Sequence, residues 1–245
     1  MLKLNPHLSV DCVIFGFDGQ NLKALLTKRN IRDPDSPGKF IIDYKLPGDF
    51  ITDEEDLQTA ANRVLKELTG LTNIFLKQLW VFGSPDRINK EKDINWLRET
   101  TGLPIERVVT IAYYSLIKIA ESQQEPANKN NALWIKVEDI SELAFDHYEI
   151  LQRGLKTLRT RLQSEPVGFE LLPKRFTLRQ LQNLYEVILG RDLDNRNFRK
   201  KILKAEYLVP TDDKEKEVAH KPARLFMFDK DIYEKSEMRE LGFQF

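Results

Sequence analysis

LPGDFITDEEDLQTAANRVLKELTGL, residues 46–71, is the strongest indication in the sequence of how the first half of the chain folds. It reads as a strand, an acidic turn and a helix. Thr69 and Gly70 form a C-terminal stop, because glycine readily adopts the left-handed conformation that ends many helices. The apolar residues recur at the spacing of one helix face: Ala61, Val64, Leu65 and Leu68. The sequence therefore predicts an amphipathic helix over about residues 57–69.

Bulk composition argues for a folded chain outside the membrane. The chain has 245 residues, of which 41% are hydrophobic, and it contains no run approaching the roughly 18 to 20 apolar residues of a membrane span. No secretory signal pattern opens the sequence. The single cysteine, Cys12, lies in an apolar run, where we expect a buried hydrophobic residue. These features predict a cytoplasmic protein without a membrane partner.

The distribution of charge and of proline and glycine residues indicates two domains. The net charge is zero, but residues 174–204 carry nine Lys and Arg against three Asp and Glu. The segment SEPVGFELLPK, 164–174, contains two prolines and a glycine. We therefore predict a first domain over 1–163, a connector over 164–174 and a second domain over 175–245.

Periodicity predicts a mixed α/β first domain. Strands are expected at 8–17, 21–29, 44–51, 74–83, 108–118 and 131–140, and helices at 57–69 and 148–163. A polar loop at 30–39 and an insertion at 88–105, with a short helix, separate some of these elements. The three tryptophans are expected in the core: Trp80, Trp96 and Trp134.

The second domain reads as two helices and a hairpin. Thr177 and Gln180 form a capping-box start, and Gly190 a stop. A second helix begins after Asp194 and is expected to turn Phe198, Ile202 and Leu203 inward. A hairpin follows around 211–221, with ARLFMFD as its return strand.

The 46–71 stretch resembles the Nudix box, whose usual form is G-x5-E-x7-R-E-U-x-E-E-x-G-U, where U is aliphatic. Asp49 stands in place of the first glycine, although Gly48 precedes it. Val64 and Leu68 replace two of the three helix glutamates. The matching residues are Glu55, Arg63, Leu65, Glu67, Gly70 and Leu71. The resemblance implies an α/β/α sandwich over about residues 6–160.

The two replacements argue against hydrolysis. Nudix hydrolases need several carboxylates converging on Mg²⁺ to bind a diphosphate and activate water. Val64 and Leu68 lie four residues apart, so they put an apolar stripe on one helix face. Glu67 alone cannot hold a hard dication well, and Glu54 and Glu55 precede the helix. We therefore predict a non-enzyme with no cofactor and no metal; the alternative is an Mg²⁺-dependent Nudix hydrolase of ADP-ribose or a related nucleoside diphosphate.

The second domain resembles a winged helix, and the whole chain resembles the Nudix-related transcriptional regulators. Further stretches carry the resemblance: FGSPDR (82–87), IAYYSLI (111–117), AFDHYEI (144–150), GFELLPKRFTLRQLQNLYE (168–186) and NFRKKI (197–202). It implies a Nudix-like effector domain followed by a DNA-binding winged helix. Some members of that family sense ADP-ribose, whereas a branch with the degenerate helix, which this chain most resembles, senses sugars such as arabinose. The resemblance therefore predicts a repressor of sugar or nucleotide-cofactor metabolism genes.

Polar residues near strand ends are the candidate effector ligands. Asp86 and Arg87 offer an acceptor and a donor fork suited to hydroxyls or phosphate. The candidates for effector binding are Asp11, Asp49, Glu67, Asp86, Arg87, Asp146 and His147.

Basic and amide residues around the two predicted helices are the candidate DNA ligands. Most would contact phosphates, whereas Asn195, Arg196 and Asn197 near a helix start are suited to base edges. The candidates are Lys174, Thr177, Arg179, Gln180, Asn195, Arg196, Asn197, Arg199, Lys200, Lys204, Lys221 and Arg224. The expected partner is double-stranded operator DNA. We predict a homodimer, because two copies of a small DNA-binding domain match the two half-sites of a palindromic operator. A protein-interaction adaptor that binds no DNA remains an alternative.

Overall fold

A computed structural model describes residues 3–33, 36, 38–102, 107–119, 131–215 and 221–240. The chain divides into two units, residues 1–160 and 161–245. The segment predicted as a connector, 164–174, therefore belongs to the second unit. Parts of three predicted features lie outside the described residues: the 30–39 loop, the end of the 88–105 insertion and the tip of the 211–221 hairpin.

One mixed sheet organises the first unit. Its strands are β1 (Leu4–Phe17), β2 (Leu22–Arg32), β3 (Phe40–Lys45), β4 (Gly48–Thr52), β5 (Lys77–Phe82), β6 (Val109–Lys118) and β7 (Ala132–Lys136). The order is β3-β2-β1-β6-β5, with β4 paired to β1 and β7 to β2. Strands β1 and β6 are parallel, and the other pairs are antiparallel. The predicted strands are thus confirmed with shifted ends, except that the single strand expected at 44–51 is two strands, β3 and β4, separated by Leu46 and Pro47.

Helices cover both faces of this sheet. They are α1 (Leu57–Thr69), α2 (Glu91–Thr101) and α3 (His147–Ser164). Cys12 and Ile14 of β1 share a core cluster with residues of α1. Gly154 of α3 lies against Val13 and Phe15, the alternate residues of β1. This alternation produces the predicted α/β/α sandwich, and α2 confirms the short helix expected in the insertion.

The prediction for the tryptophans is wrong at Trp80, which is 55% exposed. Its ring lies on the edge strand β5, where the guanidinium carbon of Arg153 is 4.5 Å from the ring centroid. Trp96 and Trp134 are half-buried and pack against core clusters. Strand β5 lies at the edge of the sheet and most of its residues are exposed, so the layers that cover the sheet leave Trp80 largely open to solvent.

The second unit has the helix-helix-hairpin order of a winged helix. Its elements are β8 (Phe176–Thr177), α4 (Leu178–Leu189), α5 (Asn195–Ile202), β9 (Leu208–Lys214), β10 (Arg224–Phe228) and α6 (Lys230–Glu240). The three strands form an antiparallel sheet in the order β8-β10-β9. The reciprocal capping box of Thr177 and Gln180 begins α4, and Gly190 ends it with φ 68°. Both were predicted, whereas β8 and α6 were not. Among the described residues no helix is long and apolar enough to cross a membrane.

Leu203 is the second wrong core prediction, since it is 53% exposed while Phe198 and Ile202 are buried. Helix α5 ends at Ile202, and Leu203 is its C-terminal cap. Leu203 follows Arg199 by one helical turn and so continues the outer side of α5.

Candidate functional site

The helix face that would carry metal ligands is part of the core. Val64 is fully buried among β1 and α1 residues such as Cys12 and Ala60, and Leu68 packs against the same cluster. A carboxylate at position 64 would have to leave water entirely. The apolar replacement is therefore integrated into the packing of α1 on the sheet.

Restoring the box glutamate at this position should destabilise the protein. We expect Val64→Glu to lower the free energy of unfolding of the first unit by about 3–5 kcal/mol, because it buries an uncompensated charge. Denaturant titration followed by tryptophan fluorescence measures this, since all three tryptophans lie in the first unit.

Asn62→Glu is the matched control, because Asn62 is exposed on the same helix. It should change the unfolding free energy by about 0.5 kcal/mol or less. Equal effects of the two substitutions would show that Val64 is not held in a dry core.

Arg63 engages the remaining glutamates of the box. Its Nε and Nη2 donate to the two carboxylate oxygens of Glu55 at 2.9 and 2.6 Å, and Nη2 also donates to the Phe50 carbonyl at 3.0 Å. Its Nη1 donates to Glu67 at 3.1 Å. The hydrogen bonds from Arg63 lower the pKa of Glu55. These contacts hold the loop before α1 against the helix. The described residues contain no group of three or more His, Cys, Asp or Glu placed to hold a metal.

Four predicted effector residues meet in a buried polar network. Arg87 donates through Nε and Nη2 to the two oxygens of Asp146 at 3.0 and 2.8 Å. Its Nη2 also lies 3.6 Å from Asp11 Oδ2, which accepts a hydrogen bond from Thr110 at 2.7 Å. The side chains of Arg87 and Asp11 are 4% and 5% exposed. This network joins β1, β6, the turn after β5 and the residue preceding α3.

His147 completes the network as a neutral ring. Its Nδ1 accepts from the Leu46 backbone N–H at 3.0 Å, and its Nε2 lies 3.4 Å from Asp11 Oδ1. Burial, together with the positive charges of Lys45 and Arg87, lowers the pKa of His147 well below 6.5. Since Nδ1 accepts, the single proton of the ring belongs on Nε2, facing Asp11. Burial raises the pKa of Asp11, and Arg87 opposes that shift.

Gly48 is required by this network. It pairs with Asp11 across β4 and β1, and a β-carbon at Gly48 would lie 1.8 Å from Asp11 Oδ1. The close approach leaves no room for a side chain. The glycine of the box is thus retained one residue before Asp49, where the strand must pass over Asp11.

The other three predicted effector residues lie outside the network. Asp86 is exposed in the 3₁₀ turn Pro85–Arg87, and Glu67 is exposed on α1. Asp49 is half-buried, and its carboxylate accepts from the Phe50 N–H at 2.7 Å. These three therefore have access to solvent that the buried four lack.

Sequence reasoning also missed the buried charge of Arg29 on β2. Its side chain is fully buried and donates to Asp43 at 2.7 Å and to Asp93 of α2. Its guanidinium lies over Phe145 at 4.8 Å and Trp96 at 5.3 Å, measured to the ring centroids. Its Nε and Nη1 have no hydrogen-bond partner among the described residues. The alternation of the strand was an available signal, because Arg29 lies two residues from both Thr27 and Ile31, which are buried on the same face of β2.

Because His147 is neutral in the fold, the free energy of unfolding of the first unit should decrease as the pH is lowered. The unfolded chain takes up a proton as the pH drops through about 6.5, whereas folded His147 does not until a lower pH. Stability is therefore fully present above about pH 6.5 and declines below it. We expect the first unit to lose about 1 kcal/mol more than a His147→Asn variant between about pH 7.5 and 5.5.

Denaturant unfolding followed by tryptophan fluorescence at both pH values tests this expectation. Asparagine can still accept from Leu46 but does not titrate in this range. If the wild type and His147→Asn lose the same stability on acidification, His147 is not held neutral in the fold.

The second unit presents a basic surface on α5. Phe198 and Ile202 face inward, whereas Arg196, Arg199 and Lys200 are exposed. Most predicted DNA ligands are exposed: Lys174, Arg179, Gln180, Asn195, Arg196, Asn197, Arg199, Lys200, Lys204, Lys221 and Arg224. A short helix with a cationic outer face has the form of a DNA-reading helix.

Thr177 is the exception among these candidates. It is only 3% exposed, and its hydroxyl accepts from the Gln180 N–H at 3.1 Å in the capping box. Its side chain therefore shapes the start of α4 instead of facing solvent. Other candidates also have internal partners: the side-chain oxygen of Gln180 accepts from the Thr177 N–H at 2.8 Å, Arg179 lies 3.6 Å from Glu186, and Arg224 donates to the Thr211 carbonyl at 2.9 Å.

Nudix domain and winged helix together define the class of this chain. Residues 5–154 match the NUDIX domain family, and residues 168–228 match the NrtR DNA-binding winged helix domain. The chain belongs to the Nudix-related transcriptional regulators of the NrtR type, in which these two domains follow one another.

Individual relatives agree with this assignment. The ADPR responsive transcriptional repressor NtrR of Acinetobacter baylyi is 31% identical over 228 residues, which cover 91% of this chain and 82% of that protein. The crystal structure of Shewanella oneidensis NrtR complexed with a 27mer DNA is 28% identical, has a TM-score of 0.67, and is matched over 93% of this chain and 95% of that one. A MutT/nudix family protein from Enterococcus faecalis shares the fold at 24% identity, with a TM-score of 0.61 over 92% of this chain and 87% of that one.

Proposed function

We propose that this chain is a DNA-binding transcriptional repressor whose first unit binds ADP-ribose, or a closely related nucleotide, without hydrolysing it efficiently. The observation that carries the proposal is the similarity to an ADPR responsive repressor over 91% of the chain. The effector changes the affinity of the second unit for operator DNA in the cytoplasm. The chain acts as a homodimer, because two winged helices match two half-sites of a palindromic operator.

Within the first unit, solvent access divides the proposed effector residues into two roles. Asp49, Glu67 and Asp86 can meet a ligand directly, because each retains some exposure. Asp11, Arg87, Asp146 and His147 position the surrounding strands and turn, because they are bonded mainly to one another. We therefore assign ligand contact to Asp49, Glu67 and Asp86, and a supporting role to the four buried residues.

Binding without turnover is the direct test of the effector proposal. Calorimetric titration of ADP-ribose into the chain with Mg²⁺ should give saturable binding, and chromatography of the mixture should show intact ADP-ribose. Arabinose in place of ADP-ribose tests the sugar-sensing branch that the sequence was predicted to resemble most, which the similarity to an ADPR responsive repressor does not support. Saturable binding of arabinose together with no binding of ADP-ribose would overturn the proposal.

The hydrolase alternative makes the opposite prediction for turnover. Because Val64 and Leu68 remove ligands and Arg63 engages Glu67, we expect Mg²⁺-dependent cleavage far below a typical enzyme rate of roughly 1 s⁻¹. Release of AMP from ADP-ribose measures it. Cleavage at that rate, abolished by Glu67→Gln, would establish an enzyme in place of a sensor.

The outer face of α5 should bind DNA phosphates. We expect Arg199→Ala to weaken binding to all DNA sequences and to reduce the slope of log affinity against log salt by about one, since one phosphate contact is lost. Fluorescence anisotropy with genomic fragments selected by the protein measures this over a range of salt concentrations.

Lys156→Ala is the matched control, because it removes one exposed cation from α3 in the first unit. Its salt slope should equal that of the wild type. Identical slopes for all three proteins would show that α5 does not face the DNA backbone. If no genomic fragment binds to the chain at low salt, the adaptor alternative is favoured.

A further inference from the structure

The second unit contains a cavity that shares one residue, Asn197, with the predicted DNA ligands. It has a volume of about 550 Å³ and lies between the last turn of α3, the end of α4 and one flank of α5. All of its lining residues belong to the second unit. Its size falls within the roughly 300–1,000 Å³ of small-molecule sites in proteins.

Aromatic rings and aliphatic groups form nearly half of the exposed cavity wall, and polar groups form the rest. Tyr185 and Phe198 meet edge to face, with their ring centroids 5.5 Å apart. Tyr207 and Leu162 add further apolar surface to the same cavity. Such a wall favours a planar, apolar group, because rings pack well in offset or edge-to-face contact.

The charges at the cavity leave two cations available. Arg191 and Lys201 line it, are exposed, and form no ion pair within the described part of the chain. Of the two acids in the wall, Glu165 is paired with Arg161, whereas Asp194 caps α5 by accepting from the Asn197 N–H at 2.8 Å and keeps its negative charge. The cavity therefore offers positive charge to an anionic group at its rim.

We propose that this cavity is a second ligand site of the chain, which takes a small aromatic acid. The ring lies against Tyr185 and Phe198, and the acidic group meets Arg191 and Lys201. The ligand is chemically distinct from a dinucleotide-like effector of the first unit. Binding at this cavity does not require that the first unit bind ADP-ribose.

Its position would connect this site to DNA binding. Lys201 and Asn197 lie one helical turn apart on the flank of α5 that faces the cavity. Arg196, Arg199 and Lys200 lie around the other side of the same helix. A ligand that contacts the cavity flank touches the helix proposed to read DNA, and so supplies a second input to it.

The probe for this site is 8-anilinonaphthalene-1-sulfonate, an aromatic acid whose fluorescence rises in apolar surroundings. Titration into the full chain should show one saturable site. The double variant Arg191→Glu/Lys201→Glu should weaken that binding by about tenfold or more, because it reverses the charge that meets the sulfonate. Ala205→Phe, which adds a ring inside the cavity, should also remove the signal.

A second double variant controls for net charge. Lys28→Glu/Lys214→Glu reverses two exposed cations that lie outside the cavity, and it should bind the probe as the wild type does. Circular dichroism of each variant separates loss of the site from loss of the fold. If the folded Arg191→Glu/Lys201→Glu variant and its control bind the probe equally, or if the wild type shows no saturable site, the cavity is not a site for aromatic acids.

Discussion

The bidentate ion pair between Arg87 and Asp146 is the interaction on which the first unit depends. Both groups are largely removed from water, and Asp11 adds a second carboxylate on the same guanidinium. Breaking such a buried pair by removing one partner typically costs about 3–5 kcal/mol, because the other charge is left uncompensated. The pair ties the turn after β5 to the start of α3, and Asp11 extends the tie to β1 and β6. His147 then fixes the Leu46 backbone just before Gly48, where the box begins.

The replacement of two box glutamates by Val64 and Leu68 has two effects: it adds to the core packing and it removes metal ligands. Val64 and Leu68 contribute apolar surface to the cluster that joins α1 to β1. The same replacement removes the carboxylates that would converge on Mg²⁺, and Arg63 binds the two that remain. The strand-turn-helix frame of a hydrolase is therefore retained while its electrostatics are altered. That combination supports a domain that binds a nucleotide and reports it, as proposed for this chain.

Local signals allowed much of the fold to be predicted from the sequence. Helix α1 has its predicted bounds because its periodicity and its glycine stop agree, and α4 begins and ends at its predicted caps. Leu203 was misplaced because a one-residue shift at a helix end moves a side chain from core to surface. Trp80 was misplaced because the sequence does not reveal which strand lies at the sheet edge. The polar residues of the effector prediction were chosen by type, but the bonds among Asp11, Arg87 and Asp146 depend on strand order, which periodicity does not supply.

The proposed function depends on coupling between ligand binding in the first unit and DNA binding in the second. The most direct measurement is the affinity of ADP-ribose for the chain, determined by calorimetry with and without a saturating operator fragment. If ADP-ribose releases the repressor from DNA, it lowers the affinity of the chain for operator by some factor. Bound operator must then lower the affinity of the chain for ADP-ribose by the same factor. A regulatory coupling of about 1–3 kcal/mol corresponds to a factor of about 5–150. We expect such a reciprocal loss of affinity, whereas identical ADP-ribose affinities with and without operator would show that the two binding events are not coupled.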